Sequence, residues 1–166
     1  MATSIEFLKN MLSNSNIQAA LKTIRMTECN DAPECYQYLF GSTVNNDIRF
    51  TDYSKHPNSM QVHNGIDSTA AGAYQILYRT YNELCQKYGF DGSFDPAAQD
   101  LMAVAIFDEI GVLMSVSKGL MLQEDVMTKL ALQWASLPYS RYNQNPKTIA
   151  QVRAIYLAAG GSIGGD

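Results

Sequence analysis

The chain has 166 residues, 46% apolar and 17% charged, enough for one hydrophobic core and too apolar for a disordered chain. Its net charge of -4, from 12 Lys and Arg against 16 Asp and Glu, excludes the basic patch of a nucleic-acid binder and a polybasic membrane-surface mode. No apolar run reaches the length of a membrane span, and the polar start MATSIEFLKNMLSNSN is not a secretory signal, so synthesis in a cytoplasm without membrane insertion is expected.

Residues 4–28 read as helical. Asn16 suits the N-cap of IQAALKTIRMTE, and Ile17, Leu21 and Ile24 recur at helical spacing to form one apolar stripe. Residues 41–67 are irregular: Gly41, Asn45-Asn46-Asp47, Asn58 and Asn64-Gly65 include several turn signals, and the β-compatible pieces IRFTDY and MQVH lie between them. A small hairpin-bearing lobe follows from that pattern. STAAGAYQILYRTYNELCQKY then reads as a helix stopped by Gly89. Asp95-Pro96 is a cap followed by proline at the first helical position, opening AAQDLMAVAIFDEI. Gly111 and Gly119 bracket a short segment, and EDVMTKLALQWASL runs up to Pro138. Asn145-Pro146 repeats the cap-plus-proline signal before KTIAQVRAIYLAA, which ends at Gly160-Gly161 with SIGGD as a loose tail. The elements predict a single α+β domain over residues 1–166, mainly helical, with a β-containing lobe at about 41–67.

Cys29, Cys35 and Cys85 show no CxxC and no Cys/His spacing, so neither a disulfide framework nor a zinc site is implied. Three reduced thiols are expected, with Cys29–Cys35 the one pairing left open on entry to an oxidising compartment. His56 and His63 lack a third ligand in a familiar pattern, and a structural or surface role ranks ahead of a metal site for both.

Glu28 is singled out by phase. It lies four residues after Ile24, seven after Leu21 and eleven after Ile17. At about 100° per residue, each interval returns it to the azimuth of the apolar stripe. A carboxyl facing inward at a helix C-terminus is disfavoured in its ionised form by desolvation and by the helix dipole, which suits a general acid. On phase alone, a carboxyl curling to solvent where the helix frays ranks ahead. FTDYSKHP offers Asp52, Tyr53 and His56 to a cleft, and a turn held by Asp and Ser bonds explains them equally well. In STAAGAYQ, small residues permit close approach, while Tyr74 and Gln75 suit hydroxyl and N-acetyl groups; a tightly packed helix start is the alternative. Tyr139 and Tyr142 follow Pro138 in a loop, where exposed rings can face sugars.

Together these segments resemble the lambda phage endolysin family, lysozyme-like proteins that perform transglycosylation. The resemblance runs from about Asn16 to the Gly160-Gly161 stretch, and its islands FTDYSKHP, STAAGAYQIL and WASLP occur in the family's order at similar spacing. It implies a lysozyme-like fold with a glycan cleft between a helical lobe and a small β-lobe. Glu28 takes the place of the family's lone catalytic glutamate, although Cys29-Asn30-Asp31 replaces the usual Glu-Gly-Thr type of continuation. Residues 1–15 read as an N-terminal extension without counterpart. STAAGAYQ also resembles the Gly-Leu-Met-Gln motif of bacterial lytic transglycosylases, which implies that Tyr74 and Gln75 lie near the scissile bond, with Ser68 and Asp52 as further glycan contacts.

What the resemblance implies is a monomeric lytic transglycosylase acting on peptidoglycan glycan strands, without a cofactor or metal. It would cleave between N-acetylmuramic acid and N-acetylglucosamine and close a 1,6-anhydro ring, reaching the wall through a membrane lesion or as part of a virion. A hydrolysing muramidase is the nearest alternative. The T4-type spacing counted from Glu28 lands on Gln37 and Thr43, half of that pattern, and Asp31, Glu34, Asp47 and Asp52 remain possible second carboxylates. A wall-binding or virion component without catalysis is the third alternative.

Overall fold

The structure, a computed structural model, describes residues 3–43, 45–140 and 146–164. Its elements in chain order are α1 (Ile5–Met11), α2 (Ser15–Cys29), a 3-10 turn (Pro33–Gln37), β1 (Gln61–His63), β2 (Ile66–Ser68), α3 (Tyr78–Tyr88), α4 (Pro96–Glu109), α5 (Leu113–Ser117), α6 (Glu124–Gln133) and α7 (Ile149–Ala158). This is the α+β architecture expected, with helices on both sides of a short β excursion.

Helix α4 is the pillar of the helical lobe. Asp95 caps it by accepting from the Ala98 N–H, and Pro96 occupies its first position. Met102 through Phe107 are buried without interruption, so the helix is apolar on every side and must be surrounded. Helices α1, α2, α3 and α5 pack on it, and α7 closes over α2. Ile17, Leu21 and Ile24 are fully buried, as their stripe requires. The cap of α2 is Asn14, which accepts from the Asn16 and Ile17 N–H groups, so the expected cap at Asn16 is displaced by two residues. Asn16 is instead a buried junction: its Oδ1 accepts from the Tyr156 hydroxyl and the Ser162 N–H, and its Nδ2 donates to Ser117 O. These bonds also overturn the loose tail, because Ser162 is tied to α2 and the Gly164 N–H donates to Gly119 O.

The small lobe carries one antiparallel hairpin, registered Gln61↔Ser68, Val62↔Asp67 and His63↔Ile66. Asn64 and Gly65 both take positive φ at its turn, as that dipeptide predicts. IRFTDY does not become a strand; Arg49 makes a single bridge to Tyr38, and Asp52 then starts a side-chain turn by accepting from the Ser54 N–H.

The largest departure from expectation concerns residues 68–77, which are not helical. Ala71 and Ile76 bridge each other in both directions, and residues 72–75 form a tight loop between them. Gly72 sits at φ +81, and a Cβ there would collide with Gln99 Oε1. Gln99, fully buried on α4, is the clamp: it accepts from the Ala73 N–H and donates to Tyr36 O and Phe94 O. Tertiary hydrogen bonds thus replace the helical ladder, and α3 begins only at Tyr78, ending at Gly89 as expected. Helix α6 likewise stops at Gln133 rather than at Leu137, since Trp134 turns extended. Helix α7 starts at Ile149 behind a Thr148–Gln151 capping box; Asn145, expected as its cap, lies outside the described residues.

Candidate active site

Glu28 is the penultimate residue of α2, partly buried where that helix meets the segment after α6. The Ser136 hydroxyl lies 2.7 Å from Glu28 Oε1 and 2.9 Å from Thr27 Oγ1, and the Thr27 hydroxyl donates to Ile24 O at 3.0 Å. Burial pushes the Glu28 carboxyl above the ordinary carboxylate range, against the opposing pull of the hydrogen bonds from Ser136. The combination is a carboxyl inclined to hold a proton, yet with a hydrogen-bond partner when it lets go.

Two anchors set Ser136 in place. Trp134, buried against Phe107, donates its Nε1–H to Tyr74 O at 3.0 Å, and Leu137 is fully buried. Trp134 and Ser136 therefore join the 72–75 loop to the catalytic candidate. From the other side, buried His56 lies 2.7 Å from Ile76 O through Nε2 and accepts the Asn58 N–H at Nδ1, which makes Nε2 the protonated donor. His56 packs on Phe94, Tyr78 and Tyr81, and its burial holds the imidazole below its usual pKa. The structural role expected for His56 is what its contacts describe. Thus FTDYSKHP, STAAGAYQ and WASLP, separated in sequence, are bonded around one loop.

Tyr74 is 1% exposed, and its phenol faces the interior rather than a surface open to a sugar. Arg25 Nη1 donates to it at 2.8 Å, and it donates to Asp100 Oδ1, which also accepts from Tyr36. Burial first, then the Asp100 charge, drives the Tyr74 phenol well above its ordinary pKa and pushes Tyr36 up to about 12. Tyr74 therefore supports the loop from beneath. Gln75, at φ +49, is half-buried and donates to Gly72 O at 2.9 Å. Ser68 is half-buried and accepts the Ala70 N–H. Asp52 is exposed and capped by its own turn, and Tyr53 is half-buried with its ring edge-on to Phe50. Tyr139 is 47% exposed in the loop beyond Pro138; Tyr142 lies outside the described residues.

Of the four carboxylates open as partners for Glu28, Asp31 pairs with Arg25 Nε at 2.7 Å, Asp47 with Arg49, and Asp52 caps residue 54, while Glu34 is half-buried in the 3-10 turn and its charge acts on Tyr38 and Arg49. Cys29 and Cys35 form a disulfide with Cα atoms 6.0 Å apart, so the three-thiol expectation gives way to one bridge and one free thiol, Cys85. Among the described residues no group of three or more His, Cys, Asp or Glu is arranged for a metal ion, and no helix is long and apolar enough to cross a membrane. Ser136, Trp134, Gln99, Arg25 and Asp100 were not assigned site roles from sequence. A usable signal existed for Gln99, a lone amide in the apolar run AAQDLMAVAIF.

A sequence model of the endolysin family matches residues 18–163. The chain belongs to the endolysin family. The endolysin of Escherichia phage P2 is 32% identical over 118 residues, covering 68% of this chain and 70% of that one. Bacteriophage lambda lysozyme complexed with a chitohexasaccharide has a TM-score of 0.78 at 28% identity, covering 90% of this chain and 97% of that one. A second structure, lysozyme from bacteriophage lambda, gives 0.74 at 27% identity with the same coverage. This endolysin accordingly has the lysozyme-like fold that its sequence islands imply, and it is a lysozyme-like enzyme of cell-wall degradation.

Proposed function

We propose that this endolysin is a lytic transglycosylase that cleaves the N-acetylmuramic acid–N-acetylglucosamine bond of peptidoglycan with Glu28 as its single acid–base group. The observation that carries the reading is the electrostatic setting of Glu28, raised by burial and bonded to Ser136, while Asp31, Asp47 and Asp52 are engaged elsewhere and the charge of Glu34 acts on Tyr38 and Arg49. Two-carboxylate glycosidases need a second carboxylate to activate water or attack the sugar. A substrate that supplies its own nucleophile does not.

Protonated Glu28 gives its proton to the bridging oxygen as the glycosidic bond breaks. The resulting carboxylate takes the proton of the muramyl C6 hydroxyl, whose oxygen bonds to C1 and closes the 1,6-anhydro ring. No water is consumed, and the attack benefits from a high effective molarity. Gln75, the half-buried member of its loop, holds N-acetyl and hydroxyl groups, Ser68, Asp52, Tyr53 and Tyr139 extend the glycan surface, and Tyr74 supports the loop from within. Lambda lysozyme, whose structure was solved with a chitohexasaccharide, lends the glycan-strand assignment its support. The protein works as a monomer at the wall.

Muropeptides released from purified peptidoglycan and weighed by mass spectrometry test the chemistry. Anhydro ends are expected; reducible ends, one water heavier, would replace this reading with a hydrolysing muramidase. Glu28→Gln should lower wall clearing at least about 100-fold with an unchanged circular dichroism spectrum. Undiminished clearing would remove Glu28 from the mechanism, whereas a parent protein that neither clears the wall nor releases products would favour a non-catalytic wall-binding role.

A further inference from the structure

We propose that Ser136 and Thr27 form a two-hydroxyl relay that gives Glu28 a matched hydrogen-bond partner in both protonation states, which makes Ser136 a positioning residue for the acid–base cycle. The inference rests on the reading of Glu28 as acid first and base second. Such a group needs a neighbour that can donate to the carboxylate and accept from the acid. A backbone N–H does only the first.

The geometry supplies both arrangements. Glu28 Oε1, Ser136 Oγ, Thr27 Oγ1 and Ile24 O lie in sequence at 2.7, 2.9 and 3.0 Å. With Glu28 ionised, Ser136 donates to Oε1 while Thr27 donates to Ile24 O. With the proton on Oε1, Glu28 donates to Ser136 Oγ, Ser136 turns to donate to Thr27, and Thr27 donates to Ile24 O. Each hydroxyl keeps its own proton and only Ser136 rotates, so the relay moves no charge along itself. The rotation needs little else to move, because Ser136 is braced on both sides: Trp134 and Leu137 anchor its turn, and its carbonyl accepts the Lys147 N–H at 2.8 Å.

Two substitutions should then move Glu28 in opposite directions. Ser136→Ala removes the donor that favours the carboxylate, and the Glu28 pKa should rise by about one unit. Thr27→Val removes the acceptor that frees Ser136 to receive a proton. Ser136 is then locked as a donor to Glu28, and the pKa should fall by about half a unit. Carboxyl-carbon NMR titration reads both shifts without relying on activity, with Glu28→Gln assigning the signal. In turnover, both variants should lose about tenfold in kcat at near-constant KM. The alkaline limb should move up for Ser136→Ala and down for Thr27→Val, and Ser136→Thr, which keeps the hydroxyl, should recover kcat.

Shifts of the same sign, unmoved titrations, or a Ser136→Thr variant as impaired as Ser136→Ala would overturn the relay. Should Glu28→Gln retain full turnover, the acid–base assignment itself fails, whatever the titrations give.

Discussion

A carboxyl packed at the penultimate position of α2 has a stability consequence opposite to that of most acidic side chains. Glu28 binds its proton more tightly folded than unfolded, because burial raises its folded pKa above the ordinary 4.5. Between those two values the folded state holds more protons, so stability falls as pH rises through the folded pKa and stays lower above it. Glu28→Gln carries no charge at any pH and keeps an oxygen for Ser136. Calorimetry from about pH 3 to about pH 8 should therefore find it with a higher Tm than the parent near neutrality and equal to it at the acid end. A lower Tm at every pH would mean that the site stores no such penalty. His56 has the opposite sign: its burial-depressed pKa contributes stability above the ordinary 6.5 that is lost on acidification, and this fall should persist in the variant. Glu28 was legible from sequence because a helix repeats and a carboxyl in phase with an apolar stripe is conspicuous. Ser136 was not, since a serine in a loop has no periodicity and its partner is 108 residues away.

At the level of elements, regular pieces were readable and bonded loops were not. The Asn64-Gly65 hairpin, the Asp95-Pro96 start and the Gly89 stop each follow from local conformational preference. The 72–75 loop does not, because its shape is imposed by Gln99, Trp134, His56 and Tyr38 from four other parts of the chain. The Cys29–Cys35 bridge belongs to the same class. It closes the turn directly after Glu28, where Asn30 and Asp31 both take positive φ and Asp31 reaches back to Arg25. Chain-entropy arguments give so short a loop about 2 kcal/mol. Reduction, or replacement of both cysteines by serine, should lower Tm by about 4–8 °C. The free thiol of Cys85 should leave the double variant insensitive to reductant. A parent protein whose melting ignores reductant would show that the bridge adds nothing to the folded state.

At the scale of the whole molecule, α1 determines what counts as the domain. The family match begins at residue 18, after α1, and on sequence these residues read as an extension. Their side chains are nevertheless built into the fold. Leu8 is fully buried, α1 lies on the central helix α4, and the Thr3 hydroxyl donates to Asp108 at the far end of that helix. The C-terminal segment is tied in through Asn16, so α2 is held from both ends of the chain. Deleting residues 1–12 would uncover apolar surface on α4 and remove the buried leucine, a loss of about 3 kcal/mol or more by comparison with large-to-small core changes. The deleted contacts lie on α4 and at the N-terminal end of α2, where Gln18 donates to Leu12 O, and the site is built at the other end of α2, so it should keep its geometry while the fold persists. The expected signature is a truncated protein whose Tm drops by about 6–12 °C but whose turnover per folded molecule is unchanged well below the transition. An unchanged Tm would return α1 to the status of an appendage, and a loss of turnover at full stability would connect α4 to the site by a route other than packing.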